Sequence, residues 1–477
     1  MSAIAKAAPK TSTRDQPASK NIAASITNGV KDLGVSEPPK VTAKYKDIDV
    51  LSEYSKVKHK NAANFVVIGH VDAGKSTLMG RLLFELKAVD QRTIDRYKKD
   101  AEAIGKGSFA FAWVMDQGTE ERERGVTIDI AANKFETDKT SFTILDAPGH
   151  QDFVPNMIAG TSQADFAVLV IDASPGNFES GLRGQTREHA LLAKSIGVQR
   201  LIVAVNKMDT VTWSQSRFQD IKTQMSAFLR AAHFNPSSTL FIPCSGLSGE
   251  NVLAPVTKKT APWYQDGETL VQALDSFEPV AHNLERPLRM TISDVFRGGV
   301  QNPLSISGRI EAGSLQIGQQ ILVQPSGEIA TIRALDLDLD TDSELPREWA
   351  VAGQNVILHL TDIDPIHVRV GDIICPPGKD AIQNTTRFNA SVLAFNYLTP
   401  MSIDIHRGRL HVPGQIAKIV GILDKKSGEI TKKKPKIVQP EQVVRITVEI
   451  GKGVPIESGN RIILRNGGET VAAGLVE

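Results

Sequence analysis

Gly69-His70-Val71-Asp72-Ala73-Gly74-Lys75-Ser76, with Thr77 following, has the types and spacing of a loop that wraps a polyphosphate. An apolar run at 64–68 precedes it and a helical pattern at 75–86 follows, which is the strand–loop–helix context that G-x-x-x-x-G-K-[ST] needs. Glycines let backbone N–H groups turn inward, and a helix N-terminus adds its positive dipole end behind them. Lys75 can reach terminal phosphates, and the Ser76 hydroxyl can serve Mg²⁺. Asp146-Ala147-Pro148-Gly149-His150 ends a second apolar run. Asp146 can hold Mg²⁺ through water opposite Ser76, and the Gly149 N–H can meet a terminal phosphate. In Glu120-Glu121-Arg122-Glu123-Arg124-Gly125-Val126-Thr127, Thr127 can complete the metal shell, although a charge run of this kind also suits a solvated helix face.

Asn206-Lys207-Met208-Asp209 ends another apolar run. A carboxylate such as Asp209 accepts from guanine N1–H and the 2-amino group. Adenine lacks those donors, so a site built this way discriminates by about 10⁴ or more. Ser245-Gly246-Leu247 follows the next apolar run and can finish a guanine pocket. GTP/GDP with Mg²⁺ is the ligand set these groups imply. His150, beside the terminal phosphate, is where a water-orienting group is needed, because phosphoryl transfer needs positioning more than covalent chemistry. Val71 and Val126 can form an apolar gate in front of it. No metal is assigned to His70, Asp72, His406 or His411, whose spacing forms no ligand cluster.

These residues need rigid carriers. Apolar runs at 65–68, 142–145, 166–171, 201–205 and 240–243 alternate with helical patterns such as 184–196 and 215–233. Near-continuous apolar strands separated by helices predict a mostly parallel sheet covered on both faces, with ligands at the strands' carboxyl ends. After 286 the pattern becomes short β-type runs with Gly and Pro punctuation, at 288–295, 304–310, 320–323 and 355–360. The predicted fold class is an α/β P-loop domain followed by two all-β barrels. Boundaries are expected at 1–58 for a disordered N-terminal extension with a polar, partly helical lead-in near its end, 59–283 for the nucleotide domain, and 284–380 and 381–477 for the barrels.

Composition excludes several classes. Of 477 residues, 41% are hydrophobic and 23% charged, with a net charge of +1, so bulk charge does not announce a nucleic-acid binder. Lys432-Lys433-Lys434-Pro435-Lys436 is a local basic patch, read as a solvated loop with RNA phosphate as the alternative. Cys244 and Cys375 cannot build a disulfide framework, which suits a reducing compartment. No apolar run of transmembrane length is present, so no membrane partner is expected.

With these motifs placed, the chain from about residue 60 resembles translational GTPases of the elongation factor Tu and one-alpha family. The likeness rests on 69–76, 105–109, 122–129, 146–152, 160–165, 185–190 and 206–209. It implies a cytoplasmic, monomeric GTPase acting on the ribosome. Blocks 108–116, 154–160, 245–251, 308–313, 349–353 and 425–436 resemble the Hbs branch, the ribosome-rescue GTPases that partner Pelota, while 453–461 departs from the family in lacking a Leu-Gly-Arg-Phe run. The Hbs resemblance implies that the GTP form carries a tRNA-shaped Pelota-like protein to stalled or vacant ribosomes, with an exosome or Ski-type complex as a further partner. Alternatives are an elongation factor one-alpha-like carrier of aminoacyl-tRNA, the GTPase that works with the termination factor, and a non-hydrolysing exosome-bridging scaffold.

Overall fold

The computed structural model describes residues 48–477, apart from 57–59, 117, 125–126, 233, 236–237, 278–282, 298–303, 338–347 and 425–426. Residues 1–47 of the expected extension lie outside that set. Within 1–58 the structure does hold order: helix α1 (Val50–Lys56) packs on the first barrel. Tyr54 meets the Trp349 ring edge-on at 6.2 Å, and the Ile48 N–H donates to Gln316 Oε1 at 3.3 Å. These contacts tie down a short helix that propensity alone would leave frayed.

The nucleotide domain runs β1 (Asn61–Ile68), α2 (Lys75–Glu85), α3 (Gln91–Ala103), α4 (Thr119–Arg124), β2 (Ala131–Glu136), β3 (Thr140–Asp146), α5 (Val154–Thr161), β4 (Phe166–Asp172), α6 (Asn177–Arg183), α7 (Gln185–Ile196), β5 (Leu201–Asn206), α8 (Gln215–Ala231), β6 (Thr239–Pro243) and α9 (Leu270–Asp275). Sheet order is β2-β3-β1-β4-β5-β6, parallel from β3 to β6. Antiparallel β2, which the sequence patterns do not reveal, edges the sheet beside β3. Phe65 and Val67 enter one core and Val66 and Ile68 the other, which is why the strands read as unbroken apolar runs. The carboxyl ends at Ile68, Asp146 and Asn206 open into the loops singled out by the motifs.

The first barrel closes as β10 (Gln320–Gln324), β11 (Glu328–Leu337), β13 (Asn355–Thr361), β8 (Leu304–Ala312), β7 (Arg289–Arg297) and β14 (Ile373–Cys375). A two-stranded pair, β9 (Ser314–Gln316) with β12 (Trp349–Val351), sits beside it. In the second barrel β16 (Ser402–Arg407), β20 (Arg461–Asn466), β21 (Glu469–Val476), β15 (Asn384–Ala394), β19 (Val443–Pro455) and β17 (Leu410–Leu423) close through β16–β17 pairing. Strand β18 (Ile430–Lys433) adds to β17, so Lys432 and Lys433 lie on an exposed edge strand rather than in the expected loop. Lysines on an open edge discourage pairing with other chains. Among the described residues no helix is long and apolar enough to cross a membrane.

Candidate GTP site

The phosphate loop joins β1 to α2. Gly69 takes φ 148°, and a Cβ there would lie 2.3 Å from the Val170 carbonyl oxygen. Gly74 takes φ 84°, with Asn206 Nδ2 2.7 Å from where its Cβ would be. A side chain at Gly69 would collide with backbone, and one at Gly74 would be strained and would displace Asn206. Lys75 is 7% exposed, and its Nζ donates to the carbonyls of Gly69 at 3.2 Å and His70 at 3.1 Å. Burial lowers its pKa, opposed by Asp146, Asp116 and Asp72. A Cβ on Gly149 would stand 2.4 Å from the same Nζ, so that glycine allows the close approach.

Oxygen donors converge beside this loop. Thr127 Oγ1 donates to Asp116 Oδ1 at 2.8 Å and lies 3.1 Å from Ser76 Oγ. Either hydroxyl can be the donor in that second contact. Asp146 is fully buried, and neither carboxylate oxygen has a hydrogen-bond partner of good geometry among the described residues. Burial raises Asp146 to about 6, against the pull of Lys75 and the nearby Ser76 hydroxyl. Asp116 is raised to about 7 by burial and by Asp146. Two hydroxyls and two costly buried carboxylates make a hard oxygen set that fits Mg²⁺. Ser76, Thr127 and Asp146 would hold the ion, with Asp116 behind Thr127. It would neutralise charge developing on the phosphate oxygens.

Motif reading missed Asp116. Its signal was an acid directly after the apolar block 110–115, all of which is buried. Arg122 fixes that segment. Its guanidinium lies 4.9 Å from the Tyr97 ring and 5.2 Å from Trp113, and its Nε donates to the Asp116 carbonyl at 2.8 Å. Glu121 Oε1 accepts from the Ile128 N–H at 2.9 Å. Only part of the charge run is a solvated face: Arg124 and Glu120 pair at the surface, while Glu121 and Arg122 turn inward.

At the end where the motifs lead one to expect guanine, Asn206 acts as a strut. Its Nδ2 donates to Ala73 O and its Oδ1 accepts from the Gly246 N–H, each at 2.9 Å, tying the phosphate loop to the 245–247 turn. Lys207 Nζ donates to Asp72 O at 2.6 Å and pairs with Asp172 at 2.9 Å. Ser245 is buried and its Oγ accepts from Ser248 N at 3.3 Å, while Asp209 and Leu247 are exposed at the mouth. His150 has 45% of its side chain exposed; its Nδ1 accepts from the Asp152 N–H at 3.2 Å. It lines one cleft with Val71, Lys75, Ser76, Asp116, Thr127 and Gly149. Val126, the other half of the expected gate, lies outside the described residues. A second histidine escaped notice: His189, on α7, is buried near Gly69 and Lys75, and burial drives it down to about 3. His406 and His411 stack with ring centroids 4.5 Å apart in the second barrel.

A glycine-bounded loop leaving the interior strand β1 of a mostly parallel sheet, beside a cluster of hard oxygen donors, is the arrangement of a P-loop GTPase domain, here followed by two barrels. The family model for the elongation factor Tu GTP binding domain matches residues 60–280, and that for the GTP-eEF1A C-terminal domain matches 387–477. Elongation factor 1-alpha-A of Schizosaccharomyces pombe is 38% identical over 446 residues, covering 88% of this chain and 95% of that protein. Protein HBS1 of Drosophila melanogaster is 40% identical over 438 residues, covering 89% of this chain, which spans 64% of that protein's length. Among solved structures, the Ski7 GTPase-like domain of S. cerevisiae bound to GTP superposes with a TM-score of 0.73 at 21% identity, covering 90% of this chain and 99% of that one, a likeness of fold. The chain belongs to the elongation factor Tu and one-alpha family of translational GTPases. Its reaction is hydrolysis of GTP to GDP and phosphate, with Mg²⁺ as the accompanying ion.

Proposed function

We propose that this GTPase works in the cytoplasm as a ribosome-rescue factor. In its GTP form it carries a tRNA-shaped, Pelota-like protein to the A site of stalled or vacant ribosomes, and hydrolysis releases it. The supporting observation is the anchoring of Thr127 on Ser76 and Asp116. A loop held at the phosphate end can be released when the terminal phosphate leaves, and the barrels then change partner. The choice of cargo draws on the 40% identity to Drosophila HBS1. In the chemical step, Lys75, Gly149 and the amides of 69–77 hold the phosphates. His150 orients a water whose oxygen bonds to the γ-phosphorus as the bond to the β–γ bridging oxygen breaks; GDP leaves and the water's protons pass to phosphate and solvent. Asp209, Lys207 and the 245–247 turn hold guanine, with Asn206 bracing the turn. Val71 screens His150 until the ribosome triggers the step.

The 95% coverage of elongation factor 1-alpha-A favours a second reading, a carrier of aminoacyl-tRNA. Filter binding with GTP present separates the two. The purified chain should retain a Pelota-like protein and not aminoacyl-tRNA; tight aminoacyl-tRNA binding overturns the proposal. Multiple turnovers on vacant ribosomes exclude a non-hydrolysing scaffold that bridges to an exosome or Ski-type complex. Val71→Ala should raise the unstimulated GTPase rate severalfold, and an unchanged rate removes the gate.

A further inference from the structure

Between the two barrels lies an open cleft of about 780 Å³, and no described residue of the nucleotide domain lines it. The first barrel gives it Ile366 and Val370, which are 64% and 44% exposed. Its charge is one-sided. Asp372 is the single acid among the described lining residues, against Arg369, Arg409 and Lys452. Asp372 is itself buried, and its Oδ2 accepts from the Arg369 N–H at 2.8 Å. Burial pushes it up to about 6, against that hydrogen bond and the charges of Arg369 and Lys452. These two cations thus converge from opposite barrels while their side chains stay exposed. The second-barrel wall is a fork. Strands β17 and β19 pair as far as Gly414 with Ile450, and there the ladder stops. Beyond it, residues 411–413 pair only with β16, and 451–453 sit in a bulge paired to neither β15 nor β17. A Cβ on Gly451 would meet nothing within 4 Å. The first barrel closes one end, where a Cβ on Gly371 would lie 2.9 Å from Leu410 Cα. Unpaired strand edges are templates for another strand.

We propose that this cleft docks an extended acidic peptide of a partner protein, added as a strand at the fork, with its carboxylates on Arg369 and Lys452 and an apolar side chain on Ile366 and Val370. Strand addition takes affinity from main-chain hydrogen bonds and specificity from alternate side chains. An extended chain turns successive side chains to opposite faces, so alternating acids and apolar residues present one of each kind to either wall. The chain's own residues 1–47 do not suit the charge, with eight Lys and Arg against four acids. A nucleic-acid strand would bring its phosphates against Asp372 and would not use the strand edges. The charge complementarity therefore selects a peptide.

The test omits ribosome and cargo, so its outcome is independent of the function proposed above. Fluorescence anisotropy on the full chain, saturated with Mg²⁺ and a non-hydrolysable GTP analogue, uses a fluorescein-labelled peptide of alternating Glu and Val. It should bind at one site, and a peptide of alternating Lys and Val should bind about tenfold or more weakly. Arg369→Glu with Lys452→Glu should weaken the acidic peptide about tenfold, the sum of several exposed ion-pair contributions. Both side chains are exposed, so the urea midpoint should hold. Ile366→Ser should weaken binding about threefold or more, through lost apolar contact. Methylating alternate backbone amides of the peptide keeps every side chain but blocks strand pairing, and should remove binding. No binding of the acidic peptide, or binding unmoved by the double reversal, overturns the site. Binding of a uridine decanucleotide in place of the peptide overturns it in favour of nucleic acid. Full binding by the methylated peptide overturns strand addition.

Discussion

The two barrels meet the nucleotide domain through different chemistry. Toward the first barrel the contact is polar and saturated. Arg309 spans Asp165 with both distances at 2.8 Å and also donates to the carbonyls of Gln163 and, at 3.2 Å, Gly353. Asp165 further accepts from the Asn64 N–H at 2.8 Å, and Asn355 Nδ2 reaches Thr143 Oγ1 at 3.4 Å. Toward the second barrel the contact is apolar at its centre. Ile463 and Ala473 join the core of the nucleotide domain, resting on the α7 side of the sheet. The polar contacts there include Arg461 Nη1 to Ser195 O at 3.2 Å and the attraction of Arg465 for Glu188, while Arg407 Nε and Nη2 have no hydrogen-bond partner among the described residues. A guanidinium whose three nitrogens are all hydrogen-bonded holds one orientation, whereas apolar contact is non-directional and permits sliding. The first interface therefore resembles a joint that holds, and the second one that can be remade.

The comparison can be broken most directly at Arg309. Arg309→Met strands Asp165 as a buried charge and should cost about 3–5 kcal/mol in urea unfolding. A loss below about 1 kcal/mol would show that the first interface is no firmer than an exposed ion pair. Acid sharpens the contrast from the other side. Burial lowers His406 to about 4, with His411 and Arg465 adding to it and Asp404 opposing. The unfolded chain, with an ordinary value near 6.5, takes up that proton first. Its contribution is thus whole above about pH 6.5 and is lost as pH falls toward 4, by up to about 3 kcal/mol. The pH slope of unfolding should flatten in His406→Asn; an unchanged slope would leave that acid loss to other groups. The smallest effect is expected at Arg461. Its contact is exposed, so Arg461→Ala should cost less than about 1 kcal/mol, and a larger loss would make the second interface directional after all.

Much of the site was legible because a phosphate cradle is local. Gly69, Gly74 and Lys75 lie within a few residues of one another, and their roles follow from backbone geometry that short range dictates. The strands beneath were legible because both faces are buried, leaving unbroken apolar runs. Strand β2 was not, since only Phe135 in it is buried and no period stands out. The second barrel was legible as a β unit, but its individual strands were not: β17 carries Pro413 and Gly414 and shifts register twice against β19. Asp116 was invisible as a site residue because it reaches Thr127 only after 107–116 folds back along α2 and α3. Asn206 belongs to the motif expected to hold guanine, but its hydrogen-bond partners, Ala73 and Gly246, lie far away in sequence on either side.

Residue order alone settled the nucleotide chemistry. Glycines where side chains cannot stand, a lysine at a helix start and acids at strand ends are demands of backbone geometry and charge over a few bonds. Tertiary structure alone decided which buried charges are answered. Asp165 finds Arg309 across a domain boundary, Asp116 finds Thr127 across a loop, and Arg407 feels Glu311 and Glu457 while its Nε and Nη2 make no hydrogen bond among the described residues. Pairing of charges falls steeply with distance and depends on who else is buried nearby, and a one-dimensional order does not carry those distances.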